Sequence, residues 1–315
     1  MASNDTLRAP FPWFGGKRRI SPLVWERFGP VANYVEPFFG SGAVLLGRPD
    51  AHRRADTGFW PIETVNDLDG YVSNFWRALS LDPEAVAHWA DWPVNEADLH
   101  ARHDWLLGRA EFRERMHHDA DFYDVKIAGW WVWGLCQWIG SGWCAEDCYD
   151  GTASQQLPHL GDPGRGLLDY FLALADRLRG VRVCCGDWSR VLGPSPTSRL
   201  GVTGILLDPP YLTDDDSRQA DLYGCDSGSV ANDVRAWAIE HGDDPLLRIA
   251  LCGYEGEHTM PDTWDCVAWK AAGGYGSQGD ERGRANANRE RVWFSPACLA
   301  ATQPHSQGDL FREVG

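Results

Sequence analysis

The sequence predicts an α/β fold: a mostly parallel sheet with helices on both faces, carrying an inserted, mainly helical segment. Three observations predict it. Short strand-like segments at 33–36, 64–67, 181–185 and 205–207 each end at or just before an acid, a glycine or a proline, as strands of an α/β sheet do. Helical stretches separate most of these runs. Between about residue 81 and residue 165 the strand signal stops, and short helical segments take over.

At 315 residues the chain can bury a large core, in one elaborated domain or in two. It has no run of 18 or more apolar residues, and Met1-Ala2-Ser3-Asn4-Asp5 lacks the basic and apolar regions of a signal peptide. A soluble cytoplasmic protein without a membrane partner is the expectation. The nine cysteines form no paired CxxC arrangement, so free thiols are expected and no metal site. The net charge of −16 argues against phosphate contacts over most of the surface. Residues 1–60 run against that trend, with eight basic and five acidic residues. Only Lys17, Lys126 and Lys270 are lysines, so arginine carries most of the positive charge.

Taken in order, Trp13-Phe14-Gly15-Gly16-Lys17 offers aromatic faces, two glycines for close backbone approach, and a cation. An N-terminal arm packed on the core fits it equally well. Asn33-Tyr34-Val35-Glu36-Pro37-Phe38-Phe39-Gly40-Ser41-Gly42 reads as a strand running into a glycine turn, with a helix beginning at Ala43. This has the form of a nucleotide-binding first βα unit, without a GxGxxG fingerprint or a Walker lysine. Glu36 beside the turn suits an amino group or hydroxyls better than a phosphate. A nucleoside cofactor without a pyrophosphate follows.

Asp67 ends a second short strand, where an acid can bind both ribose hydroxyls or can cap the helix expected over 71–79. Four helical segments are expected at 83–92, 95–107, 109–118 and 122–139. The last holds Trp130, Trp131, Trp133 and Trp138 and is apolar all round, which predicts burial. Tryptophans also stack on bases, but core packing is the expected role of most of these rings.

The α/β pattern resumes with a helix over 167–179 and a strand over 181–185, followed by Gly186-Asp187-Trp188. There a carboxylate and an indole can hold a purine. The strand at 205–207 runs into Asp208-Pro209-Pro210-Tyr211. Two successive prolines cannot donate to a sheet ladder, so the strand must stop there. Asp208 and the Pro209 carbonyl can accept both hydrogens of an amino group on a planar base, and Tyr211 can stack on its ring. A surface turn fits the tetrapeptide alone. Beyond it come a helix over 230–240 and strands over 246–251, 264–270 and 291–295. The Gly- and Arg-rich stretch with Arg282, Arg284 and Arg289 fits a phosphate clamp or a solvated loop. A polar tail occupies 301–315.

Trp13-Phe14-Gly15-Gly16-Lys17, Glu36-Pro37-Phe38-Phe39-Gly40-Ser41-Gly42 and Asp208-Pro209-Pro210-Tyr211, in this order, resemble the motifs of Dam-like DNA adenine methyltransferases. That family methylates amino groups with S-adenosyl-L-methionine. The resemblance covers roughly 10–80 and 165–295, and three motifs in order are more specific than any one. It implies a Rossmann-like methyltransferase sheet in a catalytic domain of residues 1–80 and 166–300. Residues 81–165 would form an inserted target-recognition subdomain. It further implies that Trp13, Gly15, Gly16 and Lys17 close over the cofactor. Glu36, Pro37, Phe38, Gly40, Ser41 and Gly42 would form the loop on its methionine side. Asp67 would bind its ribose, and Asp187 with Trp188 its adenine. Asp208, Pro209, Pro210 and Tyr211 would hold a flipped adenine of DNA for transfer to its 6-amino group.

The chain departs from the family in the insertion. Where a basic hairpin is usual, residues 81–165 carry 15 acidic and 6 basic residues and many tryptophans. Lys126, Gln137, Ser141 and Arg165 are the conceivable DNA contacts there. Methylation of cytosine's 4-amino group uses the same pocket logic and is the alternative activity, although an aspartate first in the motif favours adenine. A non-catalytic nucleic-acid-binding protein is the alternative of another class, disfavoured by the intact acids Glu36, Asp67, Asp187 and Asp208. A lone modification enzyme of a bacterium or phage, acting as a monomer, completes the expectation.

Overall fold

The computed structural model describes residues 7–13, 16–49, 61–139, 143–144, 152–153, 160, 165–211, 227–270 and 289–301. Within them the strands are β1 (Asn33–Glu36), β2 (Ile62–Asp67), β3 (Trp138–Ile139), β4 (Thr152–Ala153) and β5 (Val181–Cys185). They continue as β6 (Thr203–Leu207), β7 (Leu247–Tyr254), β8 (Asp265–Ala268) and β9 (Glu290–Phe294). Seven of them form one mixed sheet in the order β5-β2-β1-β6-β7-β9-β8. The first five in that row run parallel, and β9 lies antiparallel to both β7 and β8.

The central strands read as unbroken apolar runs because both of their faces are covered. Every residue of β1 and of β6 is buried. Alternation still sorts their side chains. Tyr34, Val65, Leu206, Ala250 and Phe294 join one apolar cluster, with Trp25, Phe28, Phe75 and Phe171 from the helices Ser21–Phe28, Gly70–Leu81 and Leu167–Leu178. Val35, Ile205, Leu207, Ile249 and Leu251 point the other way, onto Val234 and Ala238 of the helix Ser227–His241. Helices therefore flank both faces, as expected. Edge strand β8 keeps half of its four residues exposed.

Beneath the sheet's first half a buried carboxylate ties three elements together. Glu63 of β2 pairs with Arg48 at 3.1 Å and with Arg177 at 2.7 Å, all three side chains being nearly inaccessible. Arg177 also donates to the Leu45 carbonyl. Both guanidinium groups need that acid, because an unpaired buried charge is far more costly than a paired one.

Four further helices lie between β2 and β5: Pro83–Ala90, Glu96–Leu107, Ala110–His118 and Val125–Leu135. The side chains of Asp82, Asn95 and Asp124 cap the first, second and fourth of them. Their Val86, Leu106, Met116, Ile127 and Val132 belong to the same apolar cluster as the sheet. The helix expected over 122–139 is shorter, because Asp124 starts it late and Trp138–Ile139 leaves it to pair with Thr152–Ala153 as β3 and β4. At its end Trp143 packs so tightly on Gly134 that a Cβ there would lie 1.9 Å from the ring.

Candidate active site at the carboxyl ends of the strands

From β1 the chain steps to β2 on one side, while β6 lies on the other. This reversal is the switch point outside which open α/β sheets bind ligands. The carboxyl ends of β1, β2, β5, β6 and β7 share one edge, and antiparallel β9 begins there. That edge gathers Glu36, Asp67, Asp187, Asp208, Tyr254 and Glu290.

Glu36 closes β1 and is 3 % exposed. It accepts a hydrogen bond from Tyr34 Oη at 2.8 Å. Burial pushes its carboxyl well above the ordinary range, opposed by the Tyr34 hydrogen bond and reinforced by Asp208 and Asp67. The turn that follows requires its glycines: Gly40 has φ 47° and Gly42 φ 68°. A Cβ at Gly40 would also lie 2.3 Å from Trp13 Nε1, so the N-terminal segment packs directly on this loop. Trp76 Nε1 donates to the Gly40 carbonyl at 2.8 Å. Pro37 and Ser41 are buried in the turn, while Phe38 and Gly16 are half-buried.

Asp67, half-buried, accepts from Gly40 N at 2.9 Å with Oδ2 and from Asp69 N at 2.9 Å with Oδ1. It thereby holds the glycine loop in place, and the neighbouring Asp69 is the residue that caps the helix after β2. Burial, with Asp69 adding to it, pushes the Asp67 carboxyl up to about 7. Asn66, which the sequence did not mark, donates to the carbonyls of Pro37 at 3.0 Å and Gly186 at 2.8 Å, joining the loops after β1 and β5. Asp187 is exposed and accepts from Ser189 N at 2.9 Å. The adjacent Trp188 ring stacks on Phe38, centroids 6.3 Å apart and planes at 26°.

At the end of β6 the side chains meet in a charged cluster. Lys17 Nζ lies 2.9 Å from Asp208 Oδ1. Tyr211 Oη is 3.0 Å from the same Asp208 oxygen and 3.0 Å from Glu290 Oε2. The Lys17 ammonium also stands 5.0 Å from the Tyr211 ring centre and 5.5 Å from that of Trp269. Burial opposes its charge, but Asp208 and Glu290 outweigh that and hold Lys17 above the ordinary lysine range. Tyr254 meets the Tyr211 ring edge to face at 4.7 Å. Pro209 is buried and Pro210 half-buried. Both contacts of Asp208 fall on Oδ1, so among the described residues its Oδ2 has no partner.

The structure thus brings Trp13, Lys17, Glu36, Gly40, Asp67 and Asp208 to one edge. Lys17 stands at Asp208, a pairing the sequence did not indicate. Glu290 and Tyr254 were missed as well. Glu290 falls between the loop running to Arg289 and the strand expected from Arg291, and the antiparallel entry of β9 buries it.

Four of the residues considered for DNA, Lys126, Gln137, Arg165 and Arg289, are among those described. Lys126 is half-buried, its ammonium 4.3 Å from the Trp130 ring centre and 4.7 Å from that of Trp105. Gln137 is 0 % exposed and donates to the Trp133 carbonyl, so its amide serves packing. Arg165 is half-buried, and exposed Arg289 lies 5.4 Å from the Tyr254 ring centre. Gly15, Ser141, Arg282 and Arg284 fall outside the described residues. A cavity of about 730 Å³ opens among the helices after β2, between Trp89, Trp92, Trp105, Trp130 and Arg102, away from the charged cluster.

Among the described residues no group of three or more His, Cys, Asp or Glu side chains could hold a metal ion. No helix there is long and apolar enough to cross a membrane. No protein-family model matches the chain, and no curated protein does.

Proposed function

We propose that the chain is an S-adenosyl-L-methionine-dependent DNA adenine methyltransferase with a Rossmann-like sheet. The observation that carries this reading is Asp208: a carboxylate at the switch point with Oδ1 engaged by Lys17 and Tyr211 and Oδ2 left for a substrate amine. The crevice also suits the cofactor. Glu36 and Asp67 offer carboxyl oxygens to an amino group and to hydroxyls, and the Lys17 ammonium is engaged by Asp208. The left-handed glycines at 40 and 42 allow close approach of a ligand to the backbone. The Phe38–Trp188 pair beside Asp187 offers a face for a purine.

Glu36 and the 37–42 loop would hold the amino-acid end of the cofactor, Asp67 its ribose, and Asp187 with Trp188 its adenine. When bound, the sulfonium supplies an already activated methyl group. The chain's own residues would then place the acceptor amine in line. Asp208 would take up the N–H proton that the amine gives up as the nitrogen–methyl bond forms and the carbon–sulfur bond breaks to leave a neutral thioether. An aromatic amine is a poor nucleophile because its lone pair is delocalised into the ring. Hydrogen bonds from its two hydrogens to Asp208 and the Pro209 carbonyl push the nitrogen toward tetrahedral geometry and free that pair. The base must leave the duplex to arrive, at a cost of a few kcal/mol. Tyr211, buried and braced by Tyr254, would line its pocket. The helices after β2 would carry the target-reading surface.

Incubation with methyl-labelled cofactor and mixed DNA, followed by nucleoside mass spectrometry, tests this reading. N6-methyladenine is the expected product. N4-methylcytosine would move the activity to cytosine, and unmodified DNA would leave a non-catalytic binding protein. Asp208→Ala should lower transfer by on the order of 10²–10⁴-fold while cofactor binding survives. Full activity in that variant removes Asp208 from its role.

A further inference from the structure

Tyr211 has one hydroxyl proton, yet its oxygen lies 3.0 Å from Asp208 Oδ1 and 3.0 Å from Glu290 Oε2. A phenol donates to one carboxylate at a time. The second contact is a hydrogen bond only if that carboxyl brings its own proton; otherwise two acceptors face each other in a buried place. The cluster therefore holds one proton more than its fully ionised form. Asp208 is the poorer place for it, since the same oxygen meets the Lys17 ammonium at 2.9 Å and the side chain is 19 % exposed. Glu290 is 2 % exposed and makes no ion pair among the described residues.

The surroundings of Glu290 agree with that assignment. Facing it are Lys17 from the N-terminal segment, Asp208 and Tyr211 from the turn after β6, and Cys252 and Tyr254 of β7. Glu257 lies just beyond β7, where it accepts from Tyr254 N. Of the flanking cations, Arg291 is paired with Glu255 and Arg289 lies by the Tyr254 ring. Burial pushes the Glu290 carboxyl up to about 7, with Asp208 and Glu257 adding to it, and Lys17 and the Tyr211 hydrogen bond opposing.

We propose that Glu290, in its protonated form, is a positioning residue for methyl transfer. Its carboxyl donates to the Tyr211 oxygen and turns the Tyr211 O–H onto Asp208. Asp208 then stays ionised, with Oδ2 presented to the target amine. Once Glu290 ionises it competes for the Tyr211 proton, and the hydroxyl swings away from Asp208. This inference rests on the methyltransferase reading for its catalytic consequence, but the proton on Glu290 can be detected without any turnover.

Two measurements test it. In single-turnover methyl transfer at saturating cofactor, the wild-type rate should fall about fivefold or more as pH rises from 6 to 8.5, the loss expected when one hydrogen bond is redirected. Glu290→Gln keeps a donor toward Tyr211 and cannot ionise, so its rate should be flat over that range. Tyr211→Phe, which has no proton to redirect, should be flat as well. An unchanged alkaline decline in Glu290→Gln would overturn the proposal. Infrared difference spectra between wild type and Glu290→Gln supply the second readout. A protonated-carboxyl band present at pH 6, lost by pH 8.5 and missing from the variant supports the proposal, and no such difference overturns it. If wild type transfers no methyl group to any DNA, the enzymatic reading fails, and the infrared result still decides where the proton sits.

Discussion

Two regions of this molecule handle buried charge in different ways. In the crevice, charged side chains from segments far apart in sequence meet directly: Lys17 with Asp208, and Tyr211 with both Asp208 and Glu290. Among the helices after β2, cations meet aromatic faces instead. The Arg102 guanidinium lies 4.1 Å from the Trp133 ring centre and 4.8 Å from that of Trp130, and Lys126 stands over Trp105 and Trp130. A cation over a ring is satisfied without a carboxylate. The difference teaches that the crevice meets its cation with a carboxylate, whereas the helices hold Arg102 and Lys126 by ring faces and leave the Arg102 Nη1 without a hydrogen-bond partner among the described residues.

The sharpest way to break that division is a large loss in the helical region. Trp133 is 0 % exposed, and its Nε1 donates to the Trp92 carbonyl at 2.8 Å. Trp133→Ala should cost about 3–5 kcal/mol in urea unfolding, while the folded fraction keeps its cofactor affinity. A variant of normal stability that no longer binds cofactor would move part of the site into the helices.

Smaller effects belong to the crevice, and they should spare the fold. Gly40→Ala sets a Cβ at φ 47° and 2.3 Å from Trp13 Nε1. Strain of about 1–3 kcal/mol at that loop should weaken cofactor binding by about tenfold or more in calorimetry. Asp67→Ala removes the acceptor of Gly40 N and should lower affinity to a lesser degree; unchanged affinity would take Asp67 out of the site. The same residue gives a pH signature. Its carboxyl titrates at about 7 in the folded chain against an ordinary 3.8, so the folded state keeps a proton that the unfolded state releases. Stability should therefore fall as pH rises from about 4 to about 7 and level off above. Asp67→Asn should reduce that slope in unfolding curves taken across the window, while Glu290 and Glu36, also raised by burial, keep the remainder.

How much of this was legible in the residues differs between the two regions for a physical reason. Strand β6 showed because a parallel strand buried on both faces ends in an apolar run that stops at Asp208, and β1, β2 and β5 showed by short β-prone segments ending at or just before an acid or a glycine turn. Glu290 did not show, since it stands between the Arg-bearing loop ending at Arg289 and the strand expected from Arg291, and its burial comes from pairing opposite Tyr254. The link between Lys17 and Asp208 spans nearly the whole sheet domain and has no local signal. In the helical region the end of the helix Val125–Leu135 was misjudged, because apolar tryptophans continue beyond it. Beyond it Trp138–Ile139 pairs with Thr152–Ala153, a tertiary contact no periodicity reports. The strand order likewise follows from pairing and not from any one segment.

The least effect is expected from Lys126→Ala, and it bears on which region would touch DNA. Were this ammonium free in solvent, it would be a natural phosphate contact, and its loss would lower DNA affinity and reduce the salt dependence of binding. Its charge is instead shared among Trp89, Trp105 and Trp130, with ring centres between 4.3 and 5.1 Å away. Removing it should cost about 0.5–1 kcal/mol of stability, the worth of a cation over rings. DNA affinity and its salt slope, measured by fluorescence anisotropy, should stay as in wild type. A clear drop in both would show that the rings present the ammonium to a phosphate, and the helices would then share the site with the crevice.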